Sequence, residues 1–177
     1  IGDKKLISQL INGNHKATSF NKIKAVMHFA AFAYVGESMK NPAKYYLNNV
    51  SETLTLLDAL KVEIKNRGDQ IPIVFSSTCA SYGVPSNIQI PIKESCPLFP
   101  INPYGRSKVI AEQLITDFGH AYGIPSVIFR YFNAAGAHPD GDIGEDHTPE
   151  THLIPLILDV ASGLRKNIKI FGDDYPT

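Results

Sequence analysis

Leu6, Ile7, Leu10 and Ile11 recur at steps of three and four, the spacing of one helical face, and a short apolar run at 24–31 follows with the density of a buried strand. From Pro42, a residue suited to a first helical turn, to about Lys65, the positions Tyr46, Val50, Leu54, Leu57 and Leu60 keep one apolar stripe and predict a long amphipathic helix. Arg67-Gly68-Asp69 interrupts it, and Ile71-Pro72-Ile73-Val74-Phe75 reads as a second buried strand bounded by Ser76 and Ser77. Residues 83–102 carry Pro85, Pro91, Pro97 and Pro100 among polar neighbours, which predicts a long irregular connection of the kind that usually has a functional cause. A helix from Pro103 to about Tyr122 is closed by Gly123. A third strand at 126–132, a loop rich in Gly, Pro and acids at 134–150, a helix at 152–164 and a last strand at 168–171 complete the pattern.

Strands that look buried on both faces and alternate with helices predict an α/β fold: a partial Rossmann-like parallel sheet with helices on both faces, followed by the start of a smaller substrate domain. In such sheets the ligand lies off the carboxyl ends of the strands, so the segments after Phe29, Phe75 and Tyr131 are the candidate sites. Seventeen basic and 17 acidic residues cancel, which removes the electrostatic footprint expected of a partner for nucleic acid or an anionic membrane. No apolar run approaches the roughly 20 residues that span a bilayer. Two cysteines, Cys79 and Cys96, make neither a disulfide framework nor a zinc site, and a reducing, cytoplasmic setting is expected. The chain opens on Ile1 and closes without a helix or polar tail, and reads as a piece of a longer protein.

Tyr104-Gly105-Arg106-Ser107-Lys108 sets a phenol and an ammonium one helical turn apart on one face. Such pairs also arise by chance on solvated helices; this one opens a helix after a long loop, and the preceding strand ends in Ser76-Ser77-Thr78. A free phenol is a poor base at neutral pH. Lowering its pKa of about 10 to near 7 takes about three units, or roughly 4 kcal/mol, which requires a cation close by. A tyrosine so tuned can take a hydroxyl proton while hydride departs, with Thr78 placing the hydroxyl. Asp140, Asp142, Glu145 and Asp146 lack the calcium-hand spacing and read as a solvated acidic loop, with no metal expected.

The Tyr-x-x-x-Lys pair with its upstream Ser-Ser-Thr occurs together with His28-Phe29-Ala30-Ala31, Val35-Gly36-Glu37-Ser38, Tyr45-Tyr46-Leu47-Asn48-Asn49-Val50 and Arg130-Tyr131-Phe132-Asn133. In that order and spacing, these blocks resemble the extended short-chain dehydrogenase/reductase superfamily and its NAD-dependent epimerase/dehydratases. Pro149-Glu150-Thr151-His152-Leu153-Ile154-Pro155 and Phe171-Gly172-Asp173-Asp174-Tyr175 are similar to the epimerase branch.

The resemblance implies an isomerase that interconverts UDP-glucose and UDP-galactose through a 4-keto sugar. NAD is implied as cofactor, a UDP-sugar as substrate, and a homodimer as the full-length assembly. Thr78, Tyr104 and Lys108 fall at the catalytic positions. Phe29, Ala30, Ala31, Phe32, Ala33, Asn49, Ser76, Tyr104, Lys108, Tyr131 and Phe132 fall along the cofactor. Thr78, Tyr104, Asn133, His152 and Leu153 fall against the substrate. Phe29, Tyr131 and Phe132 also suit a plain strand-end core.

The implied division is a cofactor domain over residues 1–133 and the start of a substrate region over 134–177. Roughly the first third of the nucleotide-binding domain, with its Gly-rich phosphate loop, is expected to precede Ile1. Gly136, Gly141 and Gly144 do not follow a strand and open a helix at the spacing that loop requires. By this reading the 177 residues alone bind NAD weakly and turn over no sugar. A UDP-xylose/UDP-arabinose epimerase uses the same machinery, and a non-catalytic fragment is the reading from a different class. Thr78 is followed by Cys79 and Ala80, without the acid that the sugar dehydratases place there.

Overall fold

A computed structural model describes residues 1–17, 22–170 and 172–173. They divide into two units, Ile1–Phe132 and Asn133–Thr177. The expected motif residues Phe171, Asp174 and Tyr175 lie outside the described residues.

In the larger unit, β1 (Val26–His28), β2 (Ile73–Thr78) and β3 (Ser126–Tyr131) form a parallel sheet in the order β1-β2-β3. The register pairs Val26 with Ile73 and Thr78 with Tyr131. Parallel neighbours need crossovers, and helices supply them. Between β1 and β2 run α2 (Val35–Lys40), α3 (Pro42–Tyr46), a wide turn at Leu47–Ser51 with π-type hydrogen bonding, and α4 (Glu52–Arg67). Between β2 and β3 runs α5 (Pro103–Tyr122), and α1 (Lys4–Ile11) precedes the sheet.

The helix limits follow local chemistry. Asn41 and Asn102 each lend a side-chain oxygen to a free N–H of the first turn, at 3.3 Å to Lys44 and 2.8 Å to Gly105, and each is followed by a proline that gives up no helical hydrogen bond. Gly68 (φ 71°) and Gly123 (φ 68°) end α4 and α5 in the left-handed conformation that spares glycine a Cβ clash.

Ile7 and Ile11 from α1, Leu56, Leu57, Ala59 and Leu60 from α4, and Ala111 and Ile115 from α5 pack on Ile73 and Phe75 of the sheet, with Ile71 and Ile124 beside them. Among the described residues of this unit, α1, α4 and α5 pack on one face of the sheet. The strand order follows the chain order, so successive crossovers of the same hand lie on one side. Strand alternation then turns Met27, Val127, Phe129 and Tyr131 to the other face, where all four are exposed.

Three local outcomes differ from the sequence reading. The long helix from Pro42 is broken by the π-type turn. Strand β2 lies over 73–78 instead of 71–75, because Ser77 and Thr78 find buried partners and continue the pairing with β3. The last expected strand is absent at 168–170, where among the described residues no neighbouring strand is present to take its backbone hydrogen bonds. In the smaller unit the chain is irregular up to α6 (Leu153–Ala161).

Candidate active site

Two chain segments meet at the carboxyl end of β2. Thr78 ends the strand and its Oγ1 accepts from Ala80 N at 3.2 Å, starting a tight turn over Cys79–Ser81. The first turn of α5 lies against that turn. A Cβ on Gly105 would stand 2.7 Å from Ala80 O and 2.9 Å from Pro100 Cβ, so only glycine permits the approach. Tyr104, immediately before Gly105, thereby comes within hydrogen-bonding reach of the Thr78 side chain. One turn on, Lys108 is buried; its Nζ donates to Ser76 O at 2.8 Å and lies 4.8 Å from the centre of the Phe75 ring. The structure thus brings Ser76, Thr78, Tyr104 and Lys108 to one place.

The second support comes from the β1 side. Asn49, buried in the π-type turn, accepts from Phe32 N and donates to Phe32 O, each at 3.0 Å, so it clamps the loop after β1 by both backbone groups. Its Nδ2 also donates to Ser107 Oγ at 3.0 Å, and Ser107 Oγ donates to Tyr104 O at 2.7 Å. Asn49 therefore joins the β1 loop to the helix that carries Tyr104 and Lys108. Tyr45, fully buried, packs edge-on to Tyr104 at 6.4 Å, and its one hydroxyl proton is shared between Tyr34 O and Glu37 Oε2 at 2.7 and 2.8 Å. Phe29, Ala30, Phe32, Ala33, Tyr131 and Phe132 are exposed and Ala31 is half-buried. Phe29, Tyr131 and Phe132 are exposed by 51%, 41% and 58% in this chain.

Burial sets the electrostatics. It pushes the Tyr104 phenol above its ordinary pKa, against a hydrogen bond with Thr78 that favours the phenolate. It lowers the Lys108 ammonium to about 8, while the nearby Glu112 carboxylate opposes the shift. The sequence reading asks for a cation close to the tyrosine. In the structure desolvation governs both groups, and Lys108 spends a hydrogen bond on Ser76. His28, also buried, is lowered to about 4 by desolvation first, then by Lys108 and the amino terminus. Thr53 Oγ1 donates to Asn49 O at 2.7 Å, so at the 2.9 Å contact with His28 it accepts, which fixes the neutral Nε2–H tautomer.

The sequence reading missed Glu112, whose buried carboxylate accepts from Ser77 Oγ and from Arg130. Its signal was its position, four residues after Lys108 on the same helical face. Asn133, His152 and Leu153 belong to the smaller unit, where His152 and Leu153 stand at the entry to α6 and all three are exposed.

A parallel sheet with Thr, Tyr and Lys gathered where a strand gives way to a helix is a partial Rossmann-like arrangement. The chain belongs to the NAD dependent epimerase/dehydratase family, whose pattern matches residues 11–177. It is 53% identical over 159 residues to the UDP-glucose 4-epimerase of Lacticaseibacillus casei, covering 90% of this chain and 46% of that protein. Among solved structures it is similar to the UDP-glucose 4-epimerase of Brucella ovis in complex with NAD, with a TM-score of 0.83 and 47% identity over 99% of this chain and 50% of that one. The enzyme of Bifidobacterium longum in complex with NAD+ and UDP gives a TM-score of 0.81 at 37% identity, covering 99% of this chain and 49% of that one. The chain thus spans about half the length of the relatives it matches. No described helix is long and apolar enough to cross a membrane.

Proposed function

We propose that the protein of which this chain forms part is an NAD-dependent 4-epimerase acting on UDP-glucose and UDP-galactose. The convergence of Thr78, Tyr104 and Lys108 carries this reading, and the named relatives support the choice of substrate. Residues 1–133 serve the cofactor and 134–177 begin the substrate region.

The residues present suit the nicotinamide end of the cofactor. Lys108 makes one hydrogen bond among the described residues and has two further N–H groups for ribose hydroxyls. Phe29, Tyr131 and Phe132 offer exposed aromatic surface at the strand ends. Ala30, Ala31, Phe32 and Ala33 line the loop that Asn49 clamps, and Ser76 holds Lys108 in place.

NAD, when bound, accepts the hydride from carbon 4 of the sugar and returns it. Thr78 orients the 4-hydroxyl, and Tyr104 Oη takes its proton and gives it back after the keto sugar has turned its other face. Burial alone disfavours the Tyr104 phenolate, so the positive charge of Lys108, and of the oxidised nicotinamide, has to make the difference at the moment of transfer. Asn133, His152 and Leu153 contact the UDP-sugar. The exposed apolar residues Leu47 and Leu54, on the α3–α4 stretch, support a homodimer through these helices, and the free cysteines Cys79 and Cys96 suit the cytoplasm.

The test is Tyr104→Phe in the full-length protein, assayed by coupled conversion of UDP-galactose to UDP-glucose. Turnover falls at least about 100-fold with little change in KM. A full-length parent inactive on both sugars, or a variant within a few-fold of the parent, overturns the assignment.

A further inference from the structure

We propose that Glu145, His147, Glu150 and His152 form a binding site for a divalent transition-metal ion of the zinc type. One ligand atom from each of the four lies within 4.8 Å of every other. The contacts are tight at the centre: Glu145 Oε1 is 2.9 Å from His147 Nδ1 and 2.9 Å from His152 Nδ1, and Glu150 Oε1 is 3.0 Å from His152 Nδ1. A tetrahedral ion with N and O ligands at about 2.0–2.2 Å holds its donors roughly 3.4 Å apart. The observed separations need only small side-chain rotations to reach that figure.

The donor chemistry selects the ion. Two imidazoles with two carboxylates favour zinc, cobalt or nickel over magnesium and calcium, which take oxygen sets. Two carboxylates and two neutral imidazoles carry a charge of −2, which one divalent cation neutralises. His147 and His152 both aim Nδ1 at one carboxylate oxygen, with ring centres 4.9 Å apart.

The ligands are also held in place. Glu150 Oε1 accepts the backbone N–H groups of Thr151 and His152 at 2.6 and 2.7 Å, which fixes its carboxylate at the entry to α6. The spacing Glu-x-His-x-x-Glu-x-His draws all four ligands from eight consecutive residues, so closing the site costs little loop entropy. A bound ion would staple the irregular chain before α6 to the start of that helix. It takes Nδ1 of His152 and leaves Nε2 of the same ring for the sugar-nucleotide contact assigned above; the ion site itself does not depend on that assignment. The sequence reading weighed Asp140, Asp142, Glu145 and Asp146 and passed over His147, Glu150 and His152, which follow them.

The experiment uses the 177-residue chain as it stands, stripped with chelator and titrated with zinc chloride in a non-coordinating buffer at neutral pH. Calorimetry should show saturable binding of one ion per chain at micromolar concentrations, and cobalt(II) should develop the visible bands of a tetrahedral site. Magnesium and calcium at the same concentrations should give no heat. Loss of even an outer partner of a bound metal weakens affinity roughly 10–100-fold, so His147→Ala with His152→Ala should weaken it at least that much. Glu145→Gln with Glu150→Gln, which keeps side-chain size, should do the same. Asp140→Asn with Asp142→Asn, beside the neighbouring His138, should leave binding unchanged. Absence of saturable zinc binding, or binding that survives both ligand double variants, overturns the site. All four side chains lie at or near the surface, so circular dichroism of the variants should match the parent.

Discussion

Arg130 grips the buried carboxylate of Glu112 with two arms, Nη2 at 2.7 Å from Oε2 and Nε at 3.1 Å from Oε1. The pair ties β3 to α5, and Ser77 of β2 donates to the same carboxylate. Arg130 Nη1 goes on to Tyr82 Oη at 3.1 Å and Glu94 O at 3.2 Å, which draws in the long connection. Glu112 therefore joins the three elements whose ends form the candidate site, and its charge also opposes the lowering of Lys108.

Glu112→Ala should cost about 2–4 kcal/mol, because removing one member of a largely buried pair strands the other; the partial exposure of Arg130 keeps the loss toward the lower end. Urea unfolding of the isolated chain reads the loss directly. A change below about 0.5 kcal/mol would show that water satisfies Arg130 as well as the carboxylate does.

Gly105 and Gly83 should resist substitution for different reasons. At Gly105 the obstacle is contact with Ala80 O and Pro100 Cβ, so Gly105→Ala forces α5 away from the β2 end at roughly 1–3 kcal/mol and moves Tyr104 with it. At Gly83 the backbone is left-handed (φ 72°) and a Cβ would lie 1.9 Å from Phe99 O, so strain adds to overlap and Gly83→Ala should cost more than Gly105→Ala. Paired denaturation curves that reverse this order would refute the account.

Where local chemistry decides, the sequence was readable. Pro103 at the first turn and Gly123 past the last bracket α5, and both limits hold on local chemistry: Pro103 gives up no helical hydrogen bond, and Gly123 takes the left-handed turn that closes the helix. Tyr104 and Lys108 follow from that helix. Strand β2 was misjudged because Ser76, Ser77 and Thr78 look like a boundary by composition. What keeps them in the strand is Lys108 and Glu112, which lie more than 30 residues away. The short α2 was missed for a similar reason: its clearest local signal is the Ser38 hydroxyl returning to Val35 O at 2.7 Å. Glu112 and Arg130 each resemble solvated surface charges until the fold supplies the partner.

Lys108 should be a burden on stability that function retains. Its pKa of about 8 against an ordinary 10.5 means that folding opposes the ammonium by about 3 kcal/mol at neutral pH. Lys108→Met removes that cost but leaves Ser76 O without its donor, a loss of roughly 1–2 kcal/mol. The isolated chain should therefore gain about 1–2 kcal/mol in urea unfolding at pH 7, while the full-length variant loses epimerase turnover. With pH rising from about 8 to 10.5 the unfolded lysine holds the proton that the folded one has released, so the parent gains stability over that window and the methionine variant does not. A methionine variant less stable than the parent at pH 7 would contradict this reading.

His28 gives the acid side of the same argument. The folded imidazole binds its proton near pH 4 and the unfolded one near its ordinary 6.5, so between those values the unfolded state holds more protons. Stability from His28 is complete above about pH 7, falls as the pH is lowered through 6.5, and levels off below 4, for a total of about 3 kcal/mol. The neutral ring donates to Thr53, which donates to Asn49 O, and Asn49 clamps Phe32. Protonation adds its proton at Nδ1 and leaves the Nε2–H bond to Thr53 in place, so the cost is that of the buried charge. NMR titration of the imidazole Cε1–H should find no midpoint above pH 5. A His28 midpoint near 6.5 would mean that water reaches the ring and that the Thr53 contact is not maintained in solution.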